Sequence, residues 1–141
     1  MAAKIGKSKA GHLMHYAVSA IIERDGKFLL NDRAVAPFGF ACVIGHVEER
    51  ETPEQALVRE VKEESNLDVE SFELIWDEEV DWRCSRGIIS HHNYLFRCQA
   101  SGEVKLYAEE EKSIGWYTSE EIKKLPLVPS VDYWLKKAGV I

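Results

Sequence analysis

The sequence is poor in the devices that hold small secreted or membrane proteins together. It has three cysteines, Cys42, Cys84 and Cys98, an odd number at wide spacing. That argues against a disulfide framework and for a reducing compartment, so a cytoplasmic location is expected. Cys84, His91, His92 and Cys98 could be grouped as a zinc cluster, but structural zinc sites favour paired ligands roughly two to four residues apart, so these four read as parts of a loop and a strand. The basic start, with Lys4, Lys7 and Lys9, leads into no long apolar run, and no secretory signal is expected. No stretch approaches the ~20 apolar residues of a membrane span. Positive charge is also short: 18 basic residues against 24 acidic leave a net charge of -6. Such a chain is poorly suited to tracking along nucleic acid, whose phosphates repel it. Small anionic substrates stay open to it, provided a cation mediates contact. No repeat, low-complexity segment or linker interrupts the 141 residues, a length that suits one domain with one core.

The segments that are present alternate clearly. Residues 1 to about 12 are small and basic and read as a flexible tail, frayed or lightly docked. His15 to Glu23 reads as a buried strand, Asp25-Gly26 as a tight turn, and Lys27 to Arg33 as the return strand. Pro37 to Val47 reads as extended chain and loop. Thr52, Pro53 and Gln55 mark the start of a helix: a cap, a proline suited to the first position, and the partner of a capping box. Glu54 lies in the first turn, where the helix dipole favours an acid. The helix should end near Glu64 or Ser65, with Asn66 as a left-handed cap. Residues 68–82 read as one or two strands with an acidic outer face, residues 91–100 as another, and Ser113 to Thr118 as a short one. Ser119 is expected to cap a short helix, and Pro126 and Pro129 precede a last helix. This order predicts an α+β fold, with a mixed β-sheet between α-helices.

The chemistry concentrates in residues 45–67. At about 100° per residue, Glu60, Glu63 and Glu64 fall within an arc of roughly 100°, beside an apolar arc of Leu57, Val58 and Val61. Three like charges on one face repel, by about half a kcal/mol per exposed pair. A solvated acidic surface is one explanation. A site for a hard cation such as magnesium or manganese is the other.

The wider pattern decides between them. Gly45, Glu51, Arg59, Glu60, Val61, Glu63, Glu64 and Leu67 stand in the order and spacing of the Nudix box. The chain therefore resembles the MutT-like Nudix hydrolases. Its one departure is Asn66 where the box has glycine, a mild replacement at a helix end. The resemblance implies an α/β/α sandwich and a Mg2+ or Mn2+ cofactor. It implies metal ligands at Glu60, Glu63 and Glu64, a tight loop at Gly45, a carbonyl ligand at Ile44, and Glu51 and Arg59 as orienting residues. It further implies hydrolysis of a nucleoside diphosphate linked to a group X, with Glu64, Glu110 or Glu111 taking the proton from water. Phe40, Trp82 and Tyr94 are among the aromatics placed to stack on a base. Downstream, the proline of ADP-ribose-type members, the tyrosine of dinucleoside-polyphosphate-type members and the coenzyme A and NADH signatures are not visible. A nucleoside triphosphate or sugar nucleotide is the default substrate, and a homodimer is left open. The competing readings are a non-catalytic nucleotide-sensing module, against which the complete set of box carboxylates argues, and an RNA 5′-end decapping enzyme, against which the net charge argues. Isoprenoid diphosphate isomerases share the fold, but the intact box argues against them.

Overall fold

The structure is a computed structural model that describes residues 2–84 and 86–141. Its centre is β2 (Leu13–Arg24), twelve residues that are mostly buried on both faces. Asp25 and Gly26 take positive φ, 52° and 75°, and turn the chain into β3 (Lys27–Arg33). That is the conformation the Asp-Gly pair favours. One edge of β2 is shared end to end. β1 (Ile5–Lys7) pairs antiparallel with residues 13–15, β5 (Val43–His46) with residues 17–20, and β3 with residues 23–24. The other edge pairs in parallel with β7 (Ser90–Ser101), which pairs antiparallel with β6 (Asp68–Asp81). β3 goes on to pair with β4 (Phe40–Ala41) and β8 (Glu111–Tyr117). The sheet is therefore mixed.

Helices cover both sides. α1 (Pro53–Ser65) buries Ala56, Leu57 and Val61 against Val18, Ala20, Ile22, Phe96 and Cys98. α2 (Ser119–Ile122) and α3 (Pro129–Lys137) bury Ile122, Val131, Trp134 and Leu135 against Ile21, Leu30 and Leu95. Even-numbered β2 residues thus face α1 and Ile21 faces α3, as strand alternation demands. No helix among the described residues is long and apolar enough to cross a membrane.

Two expectations need adjusting and one open alternative is resolved. The first twelve residues are not a loose tail. Ala3 is 6% exposed and bridges to Glu48, and β1 is hydrogen-bonded to β2. The pairing is a long-range contact with no local sequence signal. Of the one or two strands expected over residues 68–82 the structure forms one, Asp68–Asp81, and register shifts near Ser71 and Trp76 absorb its irregularities. α2 is capped by Thr118, not Ser119: Thr118 and Glu121 close a capping box one residue earlier than expected.

Candidate active site

α1 is positioned at both ends by its own sequence. The Thr52 hydroxyl accepts from the Gln55 amide at 3.1 Å, and the Gln55 side chain accepts from the Thr52 amide at 2.9 Å. At the other end Asn66 takes φ 69°, its N–H donates to the Lys62 carbonyl, and its side-chain amide donates to the Glu103 carbonyl at 3.0 Å. The helix therefore begins and stops at defined residues, which fixes the rotation of its acidic face.

That face meets β5 at Gly45. Gly45 pairs with Val18 and so faces α1, and a Cβ there would overlap the Glu60 carboxyl. Ile44 and His46, its neighbours, point to the opposite face. Together these residues line a cavity of about 380 Å³, whose walls include Ile44, Gly45, Glu60, Glu63, Glu64 and Glu110.

Arg59 organises the acids. Its Nε and Nη2 donate to the two Glu51 oxygens at 2.8 and 2.9 Å. Nη1 donates to Glu60 at 2.8 Å and to Glu63 at 3.2 Å, and Nη2 also donates to the His46 carbonyl at 2.8 Å. Glu51 in turn accepts from the Glu48 amide at 3.0 Å. The Arg59 hydrogen bonds hold the Glu51 carboxyl below its ordinary pKa, and the same bonds raise that of the guanidinium.

Glu64 receives no such help. It is 3% exposed, and its Oε2 has no hydrogen-bond partner among the described residues. Burial first, then the charge of Glu60, pushes its pKa well above the carboxylate range; burial also raises Glu60. Glu63, by contrast, is 53% exposed and lies at the mouth. An orphaned carboxyl oxygen deep among other acids fits a cation, and so does a backbone cradle kept open by the missing Cβ of Gly45.

The remaining expected residues divide. Glu110 lines the cavity. Glu111, its neighbour, is buried outside that lining; one of its oxygens accepts from the Tyr107 amide at 2.7 Å, and burial lifts its pKa to about 7. Trp82 is on the wall, packed edge-on against Tyr133 and Trp134. Phe40 and Tyr94 are not on it. Phe40 packs against Tyr117 in the α3-side core, and Tyr94 sits on the α1 side beside His92. Even-numbered β7 residues share the face of Phe96 and Cys98, which turns Tyr94 away.

The sequence reading missed several lining residues: Arg33, Arg83 and Arg86, Asn93, and the imidazoles of His46 and His91. The arginines lie on separate segments with no shared motif. Asn93 accepts from the Ser19 hydroxyl at 3.0 Å, while its amide nitrogen is buried and unpartnered among the described residues. The grouping of Cys84, His91, His92 and Cys98 is not assembled. His92 bonds Asp77 at 2.8 Å, and Cys98 lies in the α1-side core.

Comparison with known proteins agrees with this arrangement. The NUDIX domain family model matches residues 13–138. A MutT-like protein of Streptomyces ambofaciens is 32% identical over 77% of this chain and 66% of its own length, so the chain spans just under two thirds of that relative. The CTP pyrophosphohydrolase of Escherichia coli is 35% identical over 80% of this chain and 82% of its own. The crystal structure of a MutT NUDIX hydrolase from Burkholderia pseudomallei superposes with TM-score 0.77, covering 88% of this chain and 97% of that one at 24% identity, which speaks to the fold. The box on α1, the mixed sheet between helices and these matches place the chain in the NUDIX family, as a MutT-like member.

Proposed function

We propose that this protein is a metal-dependent pyrophosphohydrolase that splits a nucleoside diphosphate linked to a group X into a nucleoside monophosphate and phosphorylated X. The observation that carries this reading is Glu64, buried and half unpartnered on the floor of a cavity it shares with Glu60, Glu63 and Glu110.

Glu60, Glu63 and Glu64, with the Ile44 carbonyl, would hold magnesium or manganese. When bound, such a cation neutralises phosphate oxygens and lowers the pKa of a coordinated water. The protein's own groups do the rest. Arg59 holds Glu60 and Glu63 on one side and Glu51 on the other, so the acids keep their places before substrate arrives. Arg33, Arg83 and Arg86 line the same cavity and supply positive charge for the phosphates of an anionic substrate. Trp82 offers an apolar wall against which a base could pack. Glu110 faces the cavity where Glu111 does not, so Glu110 is the carboxylate we assign to take the proton from attacking water, at a side-chain oxygen. No cysteine, serine or histidine nucleophile is needed.

Among substrates, a nucleoside triphosphate is favoured, and the relative named as a CTP pyrophosphohydrolase supports a pyrimidine triphosphate as the first to try. The test is a panel of nucleoside triphosphates, sugar nucleotides and ADP-ribose with magnesium or manganese. Monophosphate and pyrophosphate from a triphosphate are expected, with complete loss under excess chelator. Turnover that persists with chelator, or no turnover of any member of the panel, would overturn the proposal.

A further inference from the structure

On the side of the cavity away from Glu63, three imidazoles and a thiol converge. His15 on β2 and His91 on β7 are register partners, and His46 at the end of β5 pairs with Ala17. Residues two apart on a strand share a face, so all three rings lie on the α3 side of the sheet. Cys84 reaches them from the connection between β6 and β7, where its N–H donates to the Ile88 carbonyl and its own carbonyl accepts from Gly87. One ligating atom from each of the four residues lies within 4.8 Å of every other. The His15 and His46 rings meet edge to face at 4.8 Å, and His15 and His91 at 5.9 Å.

The rings also lack what a core histidine usually has. His15 and His91 are 6% and 7% exposed. Nδ1 of His15, Nε2 of His46 and both nitrogens of His91 have no hydrogen-bond partner among the described residues. Burial holds the His91 pKa below the ordinary imidazole value, and the nearby backbone of Ile89 and Trp82 opposes that shift only in part. Buried polar groups are ordinarily satisfied, and several orphans aimed at one point suggest a missing common partner.

We infer that His15, His46, Cys84 and His91 form a structural zinc site. Three nitrogens and a thiolate are a borderline-soft, closed tetrahedral set, which suits zinc and not magnesium. Zinc–nitrogen and zinc–sulfur bonds of roughly 2.0–2.3 Å require donors about 3.3–3.6 Å apart, so small ring rotations close the site. Cys84 would bind as thiolate, its proton passing to solvent. Arg86, whose positive charge acts on His15 and His46, lines the same cavity as Cys84. The oxygen ligands on α1 prefer a hard cation, so the two sites would sort different metals. Cys84 sits between Trp82 and Arg86, and zinc would pin that connection over the cavity. The inference does not depend on the hydrolase reading.

Cobalt(II) reports such a site by its spectrum. Untagged, metal-free protein titrated with cobalt should develop tetrahedral visible bands and a thiolate charge-transfer band, saturating at one ion per chain and bleached by zinc. Cys84→Ser should abolish the charge-transfer band, and His91→Ala should weaken binding tenfold or more. Glu64→Gln should retain both features. Zinc should slow trypsin cleavage after Arg83 and Arg86 several-fold in the unaltered protein, and not in Cys84→Ser. The absence of tetrahedral bands, a charge-transfer band that survives Cys84→Ser, or a trypsin rate indifferent to zinc would overturn the inference. If His91→Ala fails to fold, Cys84→Ser, at a half-buried position in a connection, carries the test.

Discussion

The two sides of the cavity are built in opposite ways. The box carboxylates come from one run of sequence, a loop and a helix, and Glu51, Glu60 and Glu63 among them are braced by a single guanidinium. The imidazole–thiol side draws one residue each from β2, β5, β7 and the β6–β7 connection, and no salt bridge joins its members among the described residues. A contiguous site can be rebuilt wherever its local fold forms. A dispersed one exists only when distant strands pair in register, and a slip of one residue would turn His15 or His91 to the other face.

The sharpest way to break this contrast is Glu64→Gln. It keeps the volume and removes the charge, so turnover should fall by at least the ~10²–10⁴-fold typical of a lost acid–base or metal-binding group. The metal-free protein should melt higher, because the buried charge is gone. The sign follows from the raised pKa of Glu64: its burial opposes folding once pH exceeds the unfolded carboxylate value, and that penalty grows up to the folded value. Magnesium should raise the melting temperature of the unaltered protein and not of this variant, whereas zinc should stabilise both. Activity within a few-fold of the original would show that the carboxylate side is not the reactive one.

Arg59→Lys tests the bracing. A lysine cannot reach Glu51, Glu60, Glu63 and the His46 carbonyl at once. Metal affinity should drop by about 10–100-fold, the usual loss when an orienting partner goes. Calorimetric titration with manganese would read it, and unchanged affinity would count against the bracing role. Gly45→Ala asks the same of the cradle. The new methyl must displace Glu60, whose flexible end can move, so folding should survive while metal binding weakens. Equal affinities would show that Glu60 is not held where metal binds.

The contrast also explains what could be read without coordinates. The helix with its caps, the Asp25-Gly26 hairpin and the facing acids follow from residues within a turn or two of one another, and these were legible. The β1 pairing, the register of His15 with His91, and the arrival of Arg33 and Arg86 at one cavity depend on partners far away in sequence. Tyr94 and Phe40 show the limit plainly. An aromatic on a strand is chemically suited to stacking on a base, but the pleat decides which way it points, and here it points both into packing.

The smallest expected effect concerns the end of α1. Asn66→Gly should leave stability almost unchanged, because both residues accept positive φ. Asn66→Val should cost about 1 kcal/mol or more, since a β-branched side chain resists that conformation. Thermal melts of the two variants would separate by several degrees. Coincident melts would mean that Asn66 does not act as a cap.

Arg59 has one further consequence. Its guanidinium touches the last carbonyl of β5, the loop carboxylate Glu51 and two acids of its own helix. It thereby works as a gauge of chain length. Adding or removing one residue between His46 and Thr52 would leave the strand and the capped helix intact, since each end is anchored by its own hydrogen bonds, but the guanidinium could no longer span them. The fixed interval from Gly45 to Arg59 is then a measured distance, and sequences that changed it would keep the fold and lose the alignment of the acids.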